Sequence, residues 1–209
     1  MNNELVKRIL SSIILLPLAF YFIIDGSYMS MFFIFVCFIV ACYEWHMMTK
    51  NKPYRIYGFV LLILSFFTFY KLSINFVLVF FVILVCIATD IGGYFFGKIF
   101  KGPKLTKISP NKTYAGMIGA YFLSLIILTI VIDLINYSGS IIFLFLITIL
   151  ISTISQIGDI IVSYFKRKSN IKNTGNIIPG HGGLLDRIDG MIFAFPAFYL
   201  VELTGYLNV

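Results

Sequence analysis

Charge is scarce in this chain. Only 12% of its 209 residues are Asp, Glu, Lys or Arg, about half the fraction that a soluble domain carries. No polar stretch is long enough to bury a core of its own, which excludes a separate soluble domain. Cysteine is equally sparse: Cys37, Cys42 and Cys86 all lie in apolar runs without metal-type spacing. They read as small core residues and give no disulfide framework. There are two histidines. His46 follows Trp45 near the end of an apolar run and reads as interfacial, so no nucleophile–base set for acyl transfer is visible. Walker and dinucleotide-binding fingerprints are also missing, which excludes the common soluble nucleotide-binding folds. No internal repeat is present.

What the chain does have is apolar length. Hydrophobic residues make up 60% of it, mean hydropathy is +0.97, and apolar runs fall near 9–24, 28–46, 56–70, 74–97, 114–133, 141–165 and 190–207. Several reach the roughly 20 residues that cross a bilayer. The expected fold is an all-α polytopic membrane protein of about seven transmembrane helices, with six to nine compatible with the run boundaries. Amino-terminal spans (1–73) lead into a catalytic transmembrane region (74–209), the two forming one integrated membrane domain. The run 74–97 is interrupted by Asp90, Gly92 and Gly93 and could form two shorter helices. The start, "MNNELVKRILSSIILLPLAFYFIIDG", has a basic flank and an apolar core but no small-x-small cleavage site, and reads as an uncleaved first span.

The basic residues give the topology. With a cytoplasmic amino terminus, seven spans put 15 of the 16 Lys and Arg residues inside and only Lys71 outside, as the positive-inside rule requires. The formal charge of +7 is then topological and does not imply nucleic acid. Two polar loops share the cytoplasmic side: "GKIFKGPKLTKISPNKTYAG" (97–116) and "KRKSNIKNTGNIIPGHGGLLDRID" (166–189).

Carboxylates stand where lipid makes them costly. Asp90 lies within its apolar run. Asp159 shares a helical face with Ser152, Ser155 or Gln156, Ser163 and Lys166, a polar stripe whose plainer alternative is an interhelical seam with Asp159 paired to a basic residue. Asp186 and Asp189 fall on one face if a helix starts there, and capping alone could explain one of them. Two aspartates, Arg187 between them and the preceding His181-Gly182-Gly183 point further, to a magnesium ion gripping a phosphate with backbone amides close to the anion. In the other loop Ser109, Lys112 and Thr113 adjoin a span. Lys98, Lys101, Lys104 and Lys107 form a basic rim suited to topology and anionic lipid, whereas Lys112 is placed for direct phosphate contact.

Taken together, residues 163–189 resemble the carboxy-terminal signature of the phosphatidate cytidylyltransferases, the CDP-diacylglycerol synthases. Ser163, Lys166, Arg167, Lys172, Gly175, Pro179, His181, Gly182, Gly183, Asp186, Arg187 and Asp189 fall in register. "TDIGGYFFGK" (89–98) and "SPNKTYAG" (109–116) resemble the family's second conserved region, and the first three spans match only as generic membrane segments. There are departures: Asn173 replaces an aspartate after Lys172, and Tyr114-Ala115-Gly116 stands where an aromatic residue, Glu or Gln, and Gly are usual. The chain is also expected to be short for the family by one or two amino-terminal spans.

The resemblance implies transfer of CMP from CTP to phosphatidate, giving CDP-diacylglycerol and pyrophosphate. It implies magnesium, with room for a second cation, in an enzyme integral to the bacterial inner membrane whose site faces the cytoplasm. Asp159, Asp186 and Asp189, with Asp90 as a weaker fourth, would bind metal. Lys166, Arg167 and Arg187, with Lys112, would contact phosphates, and Ser109, Thr113, Ser163, His181, Gly182 and Gly183 would line the substrate site. CTP, phosphatidate and membrane lipids are the expected partners, nucleic acid is not, and a homodimer is left open. Two other readings stand beside this one: a CTP-dependent polyprenol or phytol kinase, and an ion-coupled transporter using the intramembrane carboxylates.

Overall fold

A computed structural model describes residues 17, 21–22, 28–106, 108–135, 137, 139–178, 180 and 182–207. Among these the chain is all-helical: α1 Tyr28–Met48, α2 Arg55–Leu72, α3 Phe76–Phe100, α4 Tyr114–Ile135, α5 Ile141–Lys168, α6 Leu185–Ile188 and α7 Met191–Glu202. Five of them are long and apolar enough to cross a membrane, and the chain is a polytopic membrane protein. The first expected span, 9–24, lies outside the described residues apart from positions 17, 21 and 22.

Two expectations change. The run 74–97 is one helix of 25 residues, unbroken at Asp90, Gly92 and Gly93. The run 190–207 helps to form a 12-residue helix, α7, only about 18 Å long and so short of a bilayer's roughly 30 Å hydrocarbon core. It ends where Thr204 and Gly205 turn the chain, Gly205 adopting φ 72°.

The chain divides into two compact units, one holding residues up to Phe76 with Lys166–Ile188, the other Val77–Phe165 with Asp189–Val209. In the first unit α1 packs on α2. The Trp45 indole lies against Gly58, where an added Cβ would come within 1.8 Å of the ring. Its Nε1 donates to the Arg55 carbonyl at 2.9 Å, so the ring that fills the interhelical gap also satisfies its own polar atom. Asn170, in the left-handed region at φ 57°, ends α5. The following Ile171 amide returns to the Lys166 carbonyl at 3.0 Å, which answers one of the helix's unfilled carbonyls.

In the second unit glycines let α3 and α4 approach. A Cβ on Gly92 would stand 2.4 Å from the Gly119 carbonyl, and one on Gly116 would stand 2.6 Å from that of Gly93. This is small-residue packing, the means by which helices associate where lipid removes any hydrophobic drive between them. The α3 glycines that could have broken the helix are the residues that seat it. α5 contributes Ser152, which accepts a hydrogen bond from Thr89 of α3 at 2.9 Å. The expected polar stripe is real: Ser152, Ser155 and Ser163 are buried on α5.

Candidate functional site

The second unit gathers one group of the expected residues. The 101–113 segment folds back on itself, Leu105 N donating to the Lys112 carbonyl at 2.7 Å and Tyr114 N to that of Pro103 at 3.2 Å. Thr113 caps α4, its Oγ1 accepting from the Gly116 amide at 3.1 Å, a serviceable N-cap because that amide is one of the helix's four unfilled donors. This turn presents Lys112 to α5. Its Nζ lies 2.6 Å from Asp159 Oδ2, the two side chains being 23% and 30% exposed. Ser163 Oγ, one turn along α5, donates to Asp159 Oδ1 at 3.3 Å. The ammonium nitrogen is buried and its contact with Asp159 is a close ion pair, which occupies one of the three donors that an ammonium carries. A buried donor in that state is well suited to an incoming anion.

Asp189 belongs to the same unit and is 8% exposed. Its Oδ1 accepts from the Gly190 amide at 3.0 Å, and its backbone carbonyl lies against Gly158, where an added Cβ would be 3.0 Å away. Gly158 is the residue before Asp159, so the backbones carrying the two aspartates touch. Ser109 is half-buried and Asp90 is exposed on α3.

The first unit gathers a second group. Lys166, at the end of α5, donates to Asp186 Oδ1 at 2.8 Å, with both side chains only 10% exposed. Asp186 Oδ2 accepts the Thr174 amide at 2.9 Å and the Gly183 amide at 3.2 Å. Burial pushes this carboxyl up, but the Lys166 hydrogen bond and charge and the two amides more than offset that and hold it below its ordinary value. Asp186 sits in the first turn of α6, and that helix ends at Ile188, so Asp186 and Asp189 do not share a helical face. Ile178 N closes on the Gly182 carbonyl at 2.9 Å, and Gly182 adopts φ 87°, a conformation that side-chain-bearing residues rarely take. Arg167 donates to the Ile171 carbonyl at 3.2 Å, and both it and Arg187 are exposed. Pro179, His181 and Lys107 lie outside the described residues.

One residue was not legible in the sequence. Glu44 of α1 is 1% exposed. Its carboxylate accepts from Thr174 Oγ1 at 2.9 Å, from Leu184 N at 2.9 Å and from Leu185 N at 2.8 Å. The only available signal was an acidic side chain inside the apolar run 28–46, and beside Trp45 and His46 it passes for a residue of the interface.

A metal can be considered against these donors. Among the described residues no three His, Cys, Asp or Glu side chains form a ligand group. A magnesium ion that arrives on a triphosphate needs no such cage, only one or two carboxylates. Asp159 fits, since a cationic head group already rests on it, and the Asp189 backbone lies beside Gly158, the preceding residue. Asp186, in the first unit, has both oxygens engaged, one by Lys166 and the other by the Thr174 and Gly183 amides.

Comparison with known proteins agrees with this chemistry. A family model described as the cytidylyltransferase family matches residues 54–204. A phosphatidate cytidylyltransferase of Rickettsia felis is 32% identical over 220 residues, covering 97% of this chain and 94% of that protein. One of Rickettsia bellii is 33% identical, covering 96% and 92%. The phosphatidate cytidylyltransferase of Bacillus subtilis is 40% identical over 124 residues, 59% of this chain and 46% of its own length. The chain therefore belongs to the cytidylyltransferase family and is a membrane-embedded nucleotidyltransferase.

Proposed function

We propose that this chain transfers CMP from CTP to phosphatidate, giving CDP-diacylglycerol and pyrophosphate for phospholipid synthesis. The observation that carries the reading is the similarity to the Rickettsia felis phosphatidate cytidylyltransferase over 97% of the chain. The side chains are consistent with it. Phosphatidate is already ionised near neutral pH, so its phosphate oxygen can attack the α-phosphorus of CTP without a strong base. Catalysis then rests on positioning and charge stabilisation, which calls for lysines, arginines and carboxylates and for no nucleophilic serine or cysteine.

In this reading Lys112 exchanges Asp159 for a phosphate of CTP. Its buried ammonium, paired with one carboxylate oxygen, supports that role. Asp159 and Asp189 would hold magnesium, with Asp90 and Asp186 as further acidic groups, and the ion would supply neutralising charge for the triphosphate. Lys166, Arg167 and Arg187 contact phosphates of CTP or phosphatidate. Ser109, Thr113 and Ser163 support the phosphate-binding side, and His181, Gly182 and Gly183 shape the nucleotide pocket. The basic residues of the 97–116 and 166–189 loops favour a cytoplasmic site under the positive-inside rule, where CTP arrives while the acceptor stays in lipid.

The test is pyrophosphate release by the purified protein in phosphatidate-containing micelles with magnesium. Release should require both CTP and phosphatidate. Release without phosphatidate, or none with it, would refute the reading. Asp159→Asn should remove the activity while the protein still folds into membranes.

A further inference from the structure

We propose that Glu44 is a positioning residue of the transferase, a buried carboxylate on α1 that holds the 174–185 loop and thereby places Asp186 and Arg187. The inference rests on the reading above for its activity readout. It concerns a residue outside positions 54–204, the part that the family model matches.

Three features carry it. First, the groups that Glu44 binds are all donors: the Thr174 hydroxyl and the Leu184 and Leu185 amides. Those amides open α6, where a helix's own carbonyls cannot reach them. Glu44 is therefore a cap supplied from 140 residues away in sequence, its carboxylate accepting two amide hydrogens that the chain cannot satisfy locally. Second, Thr174 is held between two carboxylates, its hydroxyl on Glu44 and its amide on Asp186. Moving Glu44 moves the residue that fixes Asp186. Third, the loop is shaped around this carboxylate. A Cβ on Gly175 would lie 2.9 Å from Glu44 Oε1, and one on Gly183 would lie 2.5 Å from Oε2. If the position served packing alone, a leucine or methionine would avoid the cost of a buried acid in an apolar helix. The arrangement uses the acid's acceptors and its charge.

Glu44→Gln is the informative variant because it keeps size while leaving one acceptor and turning an amide group toward donors. Full-length protein in phosphatidate micelles is assayed for CMP transfer. In parallel, hydrogen exchange followed by mass spectrometry reports on peptides covering 173–190. The expected result is a fall in kcat per folded enzyme of about tenfold or more, with KM for CTP within about threefold. Exchange should be faster in 173–190 and unchanged in α2 peptides. Glu44→Asp, which restores the charge one methylene short, should recover part of kcat. A kcat within twofold of wild type, or a loss explained wholly by a smaller folded fraction, overturns the proposal. Should Glu44→Gln fail to accumulate in membranes, Thr174→Val removes a single bond and should still lower kcat several-fold; an unchanged kcat there is equally fatal. Wild-type protein that transfers no CMP would refute the functional reading instead, and the exchange comparison would then judge Glu44 alone.

Discussion

Lys166→Met leaves Asp186 as a nearly enclosed anion without its lysine. The wild-type pair meets at 2.8 Å with each side chain 10% exposed, so solvent screening is weak and the loss is large, about 3 kcal/mol on the scale of broken buried pairs. Asp186→Asn alone should cost a similar amount, because it takes the carboxylate from a buried lysine and turns an NH2 group toward it. The geometry makes the double variant different. Both backbone amides, Thr174 and Gly183, bind Oδ2, while Lys166 binds Oδ1. An asparagine with its oxygen in the Oδ2 place keeps both amides satisfied, and with a neutral methionine opposite it no charge is left unpaired. Lys166→Met/Asp186→Asn should therefore be about 2 kcal/mol or more better than the sum of the single losses. Thermal or denaturant unfolding of the four proteins in one detergent at pH 7 measures this, with no need for activity. Additive losses would refute the pairing, as would a Lys166→Met protein as stable as wild type.

The same pair predicts a pH dependence. Asp186 is held below its ordinary value in the folded protein, so its contribution is complete above the unfolded carboxyl's value of about 4 and is lost as pH falls through the folded value. Acid titration of stability should be shallower in the double variant than in wild type. Gly158→Ala would place a Cβ 2.6 Å from the Phe193 ring and 3.0 Å from the Asp189 carbonyl; a stability loss of about 1–3 kcal/mol, read by thermal unfolding, should come with reduced transfer. Lys112→Met should raise KM for CTP by about tenfold or more while leaving the fold intact, because Asp159, 30% exposed, can take up water in place of the ammonium. Chelation of divalent cations should stop transfer and magnesium should restore it, with Asp159→Asn requiring far more magnesium if any activity is left.

The span pattern was legible because hydrophobic length is a local property. α1 to α5 fall within a few residues of the runs at 28–46, 56–70, 74–97, 114–133 and 141–165. The polar stripe on α5 was equally readable, since helical period alone puts Ser152, Ser155, Asp159, Ser163 and Lys166 on one side. What failed depended on partners distant in sequence. Gly92 and Gly93 look like breaks until Gly116 and Gly119 are found against them. The sequence likewise could not name the cationic partners of Asp159 and Asp186, which are Lys112 and Lys166, although pairing with a basic residue was already open for Asp159. No local pattern links Glu44 to Leu184 and Leu185, because α1 must first fold beside α6.

The central claim is that a phosphate oxygen of the lipid displaces pyrophosphate from CTP. The most direct measurement supplies CTP labelled at the α-phosphate in one reaction and at the γ-phosphate in another, with phosphatidate and magnesium, and then separates lipid from water. The α label should enter the lipid fraction as CDP-diacylglycerol and the γ label should leave as pyrophosphate. Recovery of the γ label in lipid, with CDP released, would contradict the account and identify a kinase.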